Sequence, residues 1–208
     1  AYPRLSHRYY ALKARWFGCD VLDYWDRNAP LPDTDDRVFA WSEARDIVLD
    51  AYQRFSPTLA EVGRRFFEQP WIDAPMRPGK APGAFAHPTV PSAHPYLLLN
   101  YLGKSRDVMT LAHELGHGVH QVLAADQGAL MADTPLTLAE TASTFAEQLV
   151  IDAVLSDDAS SDADKRAVLD GRLQDAASFL LNIPMRFEFE SKLYEERAQG
   201  ELGPTRLC

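Results

Sequence analysis

Residues 113–117 read HELGH. On a helix, side chains four positions apart lie on one face, one turn apart. His113 and His117 can then present imidazole nitrogens to a single metal ion, each about 2.0–2.1 Å from it. Glu114 follows the first histidine and points beside such an ion, not at it. Its carboxylate can there take a proton from a zinc-activated water, giving a nucleophile near neutral pH, while the metal polarises a carbonyl as a Lewis acid. The bland alternative is an exposed or core-packed histidine pair. Gly116 and Gly118 argue against it, because each weakens a helix by about 1 kcal/mol relative to Ala unless something must approach closely.

A catalytic zinc takes three protein ligands and keeps one position open. The third ligand must come from elsewhere, and Glu140 is the candidate. It lies on the next expected helix, which a turn near 127–134 folds back against the first. Ser143, Thr144 and Glu147 share its side of that helix. His120, Asp133 and Glu147 are rivals on spacing. Glu147 is better suited to hold a ligand imidazole by its other N–H. His7 reads as structural or exposed. His87 and His94 flank a Pro-rich stretch and read first as loop residues, with His94 a candidate substrate contact.

The elements that must position these groups follow from periodicity and punctuation. Residues 1–70 read as a helical lead-in. It is broken by the loop NAPLPDTDD at 28–36 and by a fresh cap at Ser56-Pro57. One helix is expected from an N-cap at Ser42, with Ile47, Val48, Ala51, Tyr52 and Phe55 inward. The next carries Leu59, Val62, Phe66 and Phe67. Residues 70–95 hold seven of the chain's 14 prolines, a density no helix survives. The 71–100 region is therefore a β element, with Gly83-Ala84-Phe85 and Tyr96–Leu99 as strands of a small hairpin-like sheet. The motif helix spans about 105–126 from an N-cap at Ser105, with Asp107 in its first turn. Its stripe is Val108, Leu111, Ala112, Leu115, Val119 and Val122. A third-ligand helix spans 134–156, opened by Thr134-Pro135, with Leu138, Ala142, Phe145, Leu149 and Ile151 or Val154 inward. A long helical region covers 162–199, bent at Pro184. The fold class is mainly α: a helical, zincin-like catalytic domain with a small sheet beside the HExxH helix.

Composition bounds the partners. The chain has 208 residues, 46% hydrophobic and 25% charged, the profile of a globular domain. A net charge of −9 with scattered basic residues argues against nucleic acid and against a membrane-surface helix. No apolar run approaches the roughly 20 residues of a membrane span. Two cysteines, Cys19 and Cys208, make no disulfide framework, and a reducing, cytoplasmic setting is expected. Both chain ends read as cuts from something longer.

The run HPYLLLNYLGKSRDVMTLAHELGHGVHQ, with LAETASTFAEQLV after it, resembles the thimet oligopeptidase / oligoendopeptidase F family of zinc peptidases, closest to the oligoendopeptidase F branch. The likeness is strongest over about 79–150. It implies Zn2+ held by His113, His117 and Glu140, with Glu114 as base, and so supports Glu140 among the rivals. It implies a mainly helical fold with a channel that admits short peptides. PGKAPGAF resembles the segment that binds substrate backbone, making Gly83, Ala84 and Phe85 candidate contacts. Family members are longer, and a following segment stabilises their tetrahedral intermediate. Losing such a group lowers rates about 100- to 1000-fold, so weak or absent activity, with zinc binding retained, is the expectation for these 208 residues.

The leading expectation is a zinc endopeptidase cutting short peptides. Its competitors are a carboxypeptidase-type exopeptidase, a non-catalytic zinc-binding helical module, and a helical interaction domain with a fortuitous HELGH.

Overall fold

The computed structural model describes residues 2–32 and 37–207. Ala1, Cys208 and the 33–36 part of the Pro/Asp-rich loop lie outside the described residues. The chain forms two compact units, one of Asp35–Ser161 and one of Ala1–Thr34 with Asp162–Cys208.

The first unit carries the motif. Helices α2 (Trp41–Phe55) and α3 (Pro57–Glu68) meet at Ser56, whose Oγ accepts from the Leu59 N–H at 3.4 Å while Pro57 occupies the first helical position. Strands β1 (Ile72–Pro75), β2 (Phe85–His87) and β3 (Tyr96–Tyr101) follow, then α4 (Ser105–Ala124) and α5 (Leu136–Ser156). β2 and β3 form the expected antiparallel hairpin, and β1 adds a third strand on the other side of β3. The sheet order is β1-β3-β2, with β1 parallel and β2 antiparallel to β3, which leaves β2 at an edge. The sequence reading missed β1, where Pro75 ends the strand and the pairing partner lies far along the chain. The strand at 83–85 begins two residues later than read, because Gly83 sits at φ +82°, turn geometry instead of strand.

The core lies between α2, α3, α4 and the sheet. Val48, Tyr52, Phe66, Leu97, Leu99, Leu111, Leu115 and Val119 are among its largest fully buried apolar side chains. Tyr52 donates its hydroxyl to the Ala112 carbonyl at 2.8 Å, one residue before the motif, so α2 is pinned to α4 beside the site.

Three local readings are corrected. α2 starts from Ala40 instead of Ser42. α4 starts from Lys104, because the Asp107 carboxylate accepts from the Leu102 and Lys104 N–H groups at 2.9 and 3.0 Å and moves the cap one residue back from Ser105. α5 follows Pro135 as its cap, not Thr134. The buried face of α5 also departs in part from the expected one, which Ile151 and Leu149 keep. Ser143, Ala146, Val150 and Ile151 are buried, while Leu138 and Phe145 are 56% and 42% exposed. Apolar residues are spread around that helix, and where it approaches α4 most closely the contact selects small residues. A Cβ at Gly116 would meet the Ala146 Cβ at 2.7 Å and the Ala142 carbonyl oxygen at 2.9 Å.

The second unit holds α1 (Tyr2–Trp16), α6 (Asp162–Ala177), a π-turn at Ser178–Asn182, α7 (Ile183–Arg197) and α8 (Pro204–Leu207). The π-turn is where the long helical region changes winding, just before Pro184. Inside, Tyr9 donates to Asp170 at 2.7 Å and buried Lys13 donates to the Arg27 carbonyl at 3.0 Å. Cys19 is a free, exposed thiol. No helix among the described residues is long and apolar enough to cross a membrane.

Candidate active site

Two helices and one strand edge build the site. The i, i+4 spacing on α4 brings the His113 and His117 rings to 4.8 Å between centroids. α5 packs against that face of α4 through Gly116 and delivers Glu140 opposite the two rings. Glu140 Oε2 lies 3.1 Å from His113 Nε2 and 3.3 Å from His117 Nε2. Ligands on a tetrahedral ion at 2.0–2.2 Å stand about 3.3–3.6 Å apart, slightly wider than these separations. The separations are thus close to those around one shared ion, and the three ligand atoms all lie within 4.8 Å of one another. His120 and Asp133, the rivals on spacing, line the cleft but are not in this group.

Outer contacts orient two of the three, His113 and Glu140. His113 Nδ1 is 2.5 Å from Glu147 Oε1. An ionised carboxylate only accepts, so Nδ1 carries the proton and Nε2 keeps its lone pair for the cluster. Ser143 donates its hydroxyl to Glu140 Oε2 at 2.7 Å. The sequence reading placed Ser143 on this side but gave it no role; its i, i+3 spacing from Glu140 was the available signal.

The electrostatics are those of a crowded cluster of imidazoles and carboxylates. Burial opposes charging of His113, but the hydrogen bond and charge of Glu147 prevail and raise its pKa. Burial lowers His117. Burial works against Glu140, yet the Ser143 bond and the two histidines hold it below the usual carboxylate range. Burial pushes Glu114 up to about 7, with Glu140 and Glu147 adding to the shift and His113 opposing it. Glu114 Oε2 is buried with no hydrogen-bond partner among the described residues. An orphaned buried carboxylate oxygen is costly. A cation in the cluster and a water beside it would relieve that cost.

A cleft of about 370 Å3 opens over the cluster. Ala84, Phe85 and Ala86 form one wall, and Asp133 and Thr134 the other. Of the expected substrate contacts, Ala84 and Phe85 are there. Gly83 does not line the cleft; its carbonyl accepts from Asn100 Nδ2 at 2.9 Å. His94 lines an adjoining cavity instead, stacked on Trp71 at 4.2 Å with 6° between the planes.

Comparison with known proteins finds peptidase relatives. An oligoendopeptidase F homolog of Lactococcus lactis is 29% identical over 206 residues, spanning 95% of this chain and 33% of the relative. Oligopeptidase PepF of Bacillus subtilis is 26% identical over 98% of this chain and 30% of its own length. This chain thus spans about a third of the length of these curated relatives. A peptidase structure from Chlamydophila abortus, 27% identical, superposes with a TM-score of 0.76 over 92% of this chain and 32% of the other. An oligoendopeptidase F structure from Bacillus anthracis, 19% identical, shares the fold at a TM-score of 0.81 over 98% of this chain and 37% of the other. The sequence profile of peptidase family M3 matches residues 50–207, and the chain belongs to that family.

Proposed function

We propose that this chain carries the metal-binding and proton-transfer centre of a zinc-dependent endopeptidase acting on short peptides. One observation carries the reading: His113 Nε2, His117 Nε2 and Glu140 Oε2 converge close to the spacing of a shared ion, beside the orphaned Glu114 Oε2. When bound, the ion supplies Lewis acidity, lowering the pKa of an adjacent water and polarising the scissile carbonyl. Glu114 accepts the water's proton at Oε2 and passes it to the leaving amine nitrogen, so base and acid are one group. Glu147 fixes the His113 tautomer, and Ser143 fixes the Glu140 carboxylate. The outer edge of β2 can hydrogen-bond an extended peptide backbone and hold it over the cluster.

Cleavage of a peptide blocked at both ends tests this. Internal cleavage that a chelator abolishes and added Zn2+ restores is the expected result. Chelator-insensitive cleavage would overturn it, and release of terminal residues only, from unblocked peptides, would favour the exopeptidase alternative. Glu147→Gln should weaken metal affinity about 10- to 100-fold. Competition with a zinc-binding dye measures this, and unchanged affinity would remove Glu147 from its assigned role.

A further inference from the structure

A second cavity, of about 650 Å3, adjoins the cleft over the histidines. The two share Pro88, Gln121, Ala132 and Asp133, so they form one continuous trough. Arg65, Trp71 and His94 line only the farther part. Its wall is stiff. Trp71 is nearly buried, its carbonyl accepts from the Leu97 N–H at 2.8 Å, and its ring meets Phe66 edge-on at 5.2 Å. The 88–95 loop closes the other side through Thr89, which sits at φ +59°. That is the left-handed region, rare for a β-branched residue. Thr89 is held there by its N–H on His87 Nδ1 at 3.0 Å and its Oγ1 2.8 Å from the His94 carbonyl.

The Arg65 guanidinium lies over the Trp71 ring, 5.3 Å from its centroid. It has no ion-pair partner among the described residues. Its planar fork, held on the ring face, suits a carboxylate. The other charged lining group, Asp133, stands at the junction with the metal cleft and would repel an acid there. The trough thus has a cationic far end and an anionic near end.

The direction of the peptide follows from β2. That strand runs from Phe85, at the metal cleft, towards Pro88, at the shared boundary. A peptide added antiparallel, the stronger pairing, lays its N-terminal residues towards the farther cavity. We propose that this cavity is a substrate subsite on the N-terminal side of the scissile bond, and that Arg65 there selects an acidic residue. This rests on the peptidase reading above.

The test uses internally quenched, end-blocked peptides in which one position at a time, N-terminal to the cleaved bond, is Glu, Gln or Lys. At one position kcat/KM for Glu should exceed that for Gln about two- to fivefold, the scale of an exposed ion pair, and the ratio should shrink in high salt. Arg65→Glu should invert the ratio in favour of Lys. Arg64→Glu makes the same charge change at a residue that does not line the trough, and should keep the Glu preference. A flat Glu/Gln ratio at every position, or equal loss of preference in both variants, would overturn the subsite. Binding of the same peptides to metal-free protein, read by fluorescence anisotropy, separates the two proposals. If no peptide is cleaved but Glu peptides still bind more tightly and Arg65→Glu reverses this, the peptidase reading fails and the cavity remains only as an acid-selective peptide-binding pocket. Equal binding of Glu and Gln peptides overturns the subsite.

Discussion

Glu114→Gln is expected to lower kcat/KM about 100- to 10,000-fold while the protein still binds one zinc ion per chain. The amide nearly preserves the shape and polarity of the side chain, but it cannot take a proton. Glu114 is outside the ligand group, so the three-atom cluster is untouched. The residue is also buried with an unpartnered oxygen, and a neutral amide there removes the burden of a desolvated carboxylate. The variant should therefore be no less stable than the parent. Steady-state kinetics with metal analysis of the same samples checks all three outcomes. Loss of metal together with activity would mean that Glu114 is a ligand, and unchanged activity would mean that another group moves the proton.

Gly116→Ala should destabilise the first unit by about 2–3 kcal/mol, although Ala is the better helix former by about 1 kcal/mol. The new methyl would meet the Ala146 Cβ at 2.7 Å, the Ala142 carbonyl oxygen at 2.9 Å and the Ser143 Cα at 3.0 Å. Two of those atoms are backbone, so no rotamer change relieves the clash and α5 must retreat from α4. Glu140 and Ser143 ride on α5, so the retreat should also weaken metal binding. Thermal unfolding and zinc titration on one variant read both effects. A stabilised protein with normal zinc affinity would show that the helices do not pack as described. Gly118 faces the Phe66 ring instead, with a Cβ contact of 2.7 Å, so a substitution there should disturb the core without moving Glu140.

How far the sequence reading reached depended on the kind of signal. The motif helix was legible because Val108, Leu111, Ala112, Leu115 and Val119 repeat at helical period, and all five are buried. The pairing of His113 with His117 needed no tertiary information. Glu140 did. Spacing left His120, Asp133 and Glu147 as rivals, and only the α4–α5 contact at Gly116 brings Glu140 onto the shared point. The inward face of α5 was read correctly at Leu149 and Ile151 and wrongly at Leu138 and Phe145, because periodicity points to the largest apolar residues. A helix pressed against a glycine buries its smallest ones, here Ser143 and Ala146. β1 was invisible because parallel pairing with β3 is a long-range event with no local signature in a Pro-rich stretch. The farther cavity likewise depends on Trp71 meeting His94 across the sheet, a contact that no spacing rule encodes.

The central claim is that one divalent ion sits between two α4 imidazoles and an α5 carboxylate. An anomalous-difference map from zinc-loaded crystals, collected at the zinc edge, tests it directly. The account predicts a single strong peak about 2.0–2.2 Å from His113 Nε2, His117 Nε2 and Glu140 Oε2. A peak elsewhere, or those three side chains turned apart with no peak between them, would contradict it.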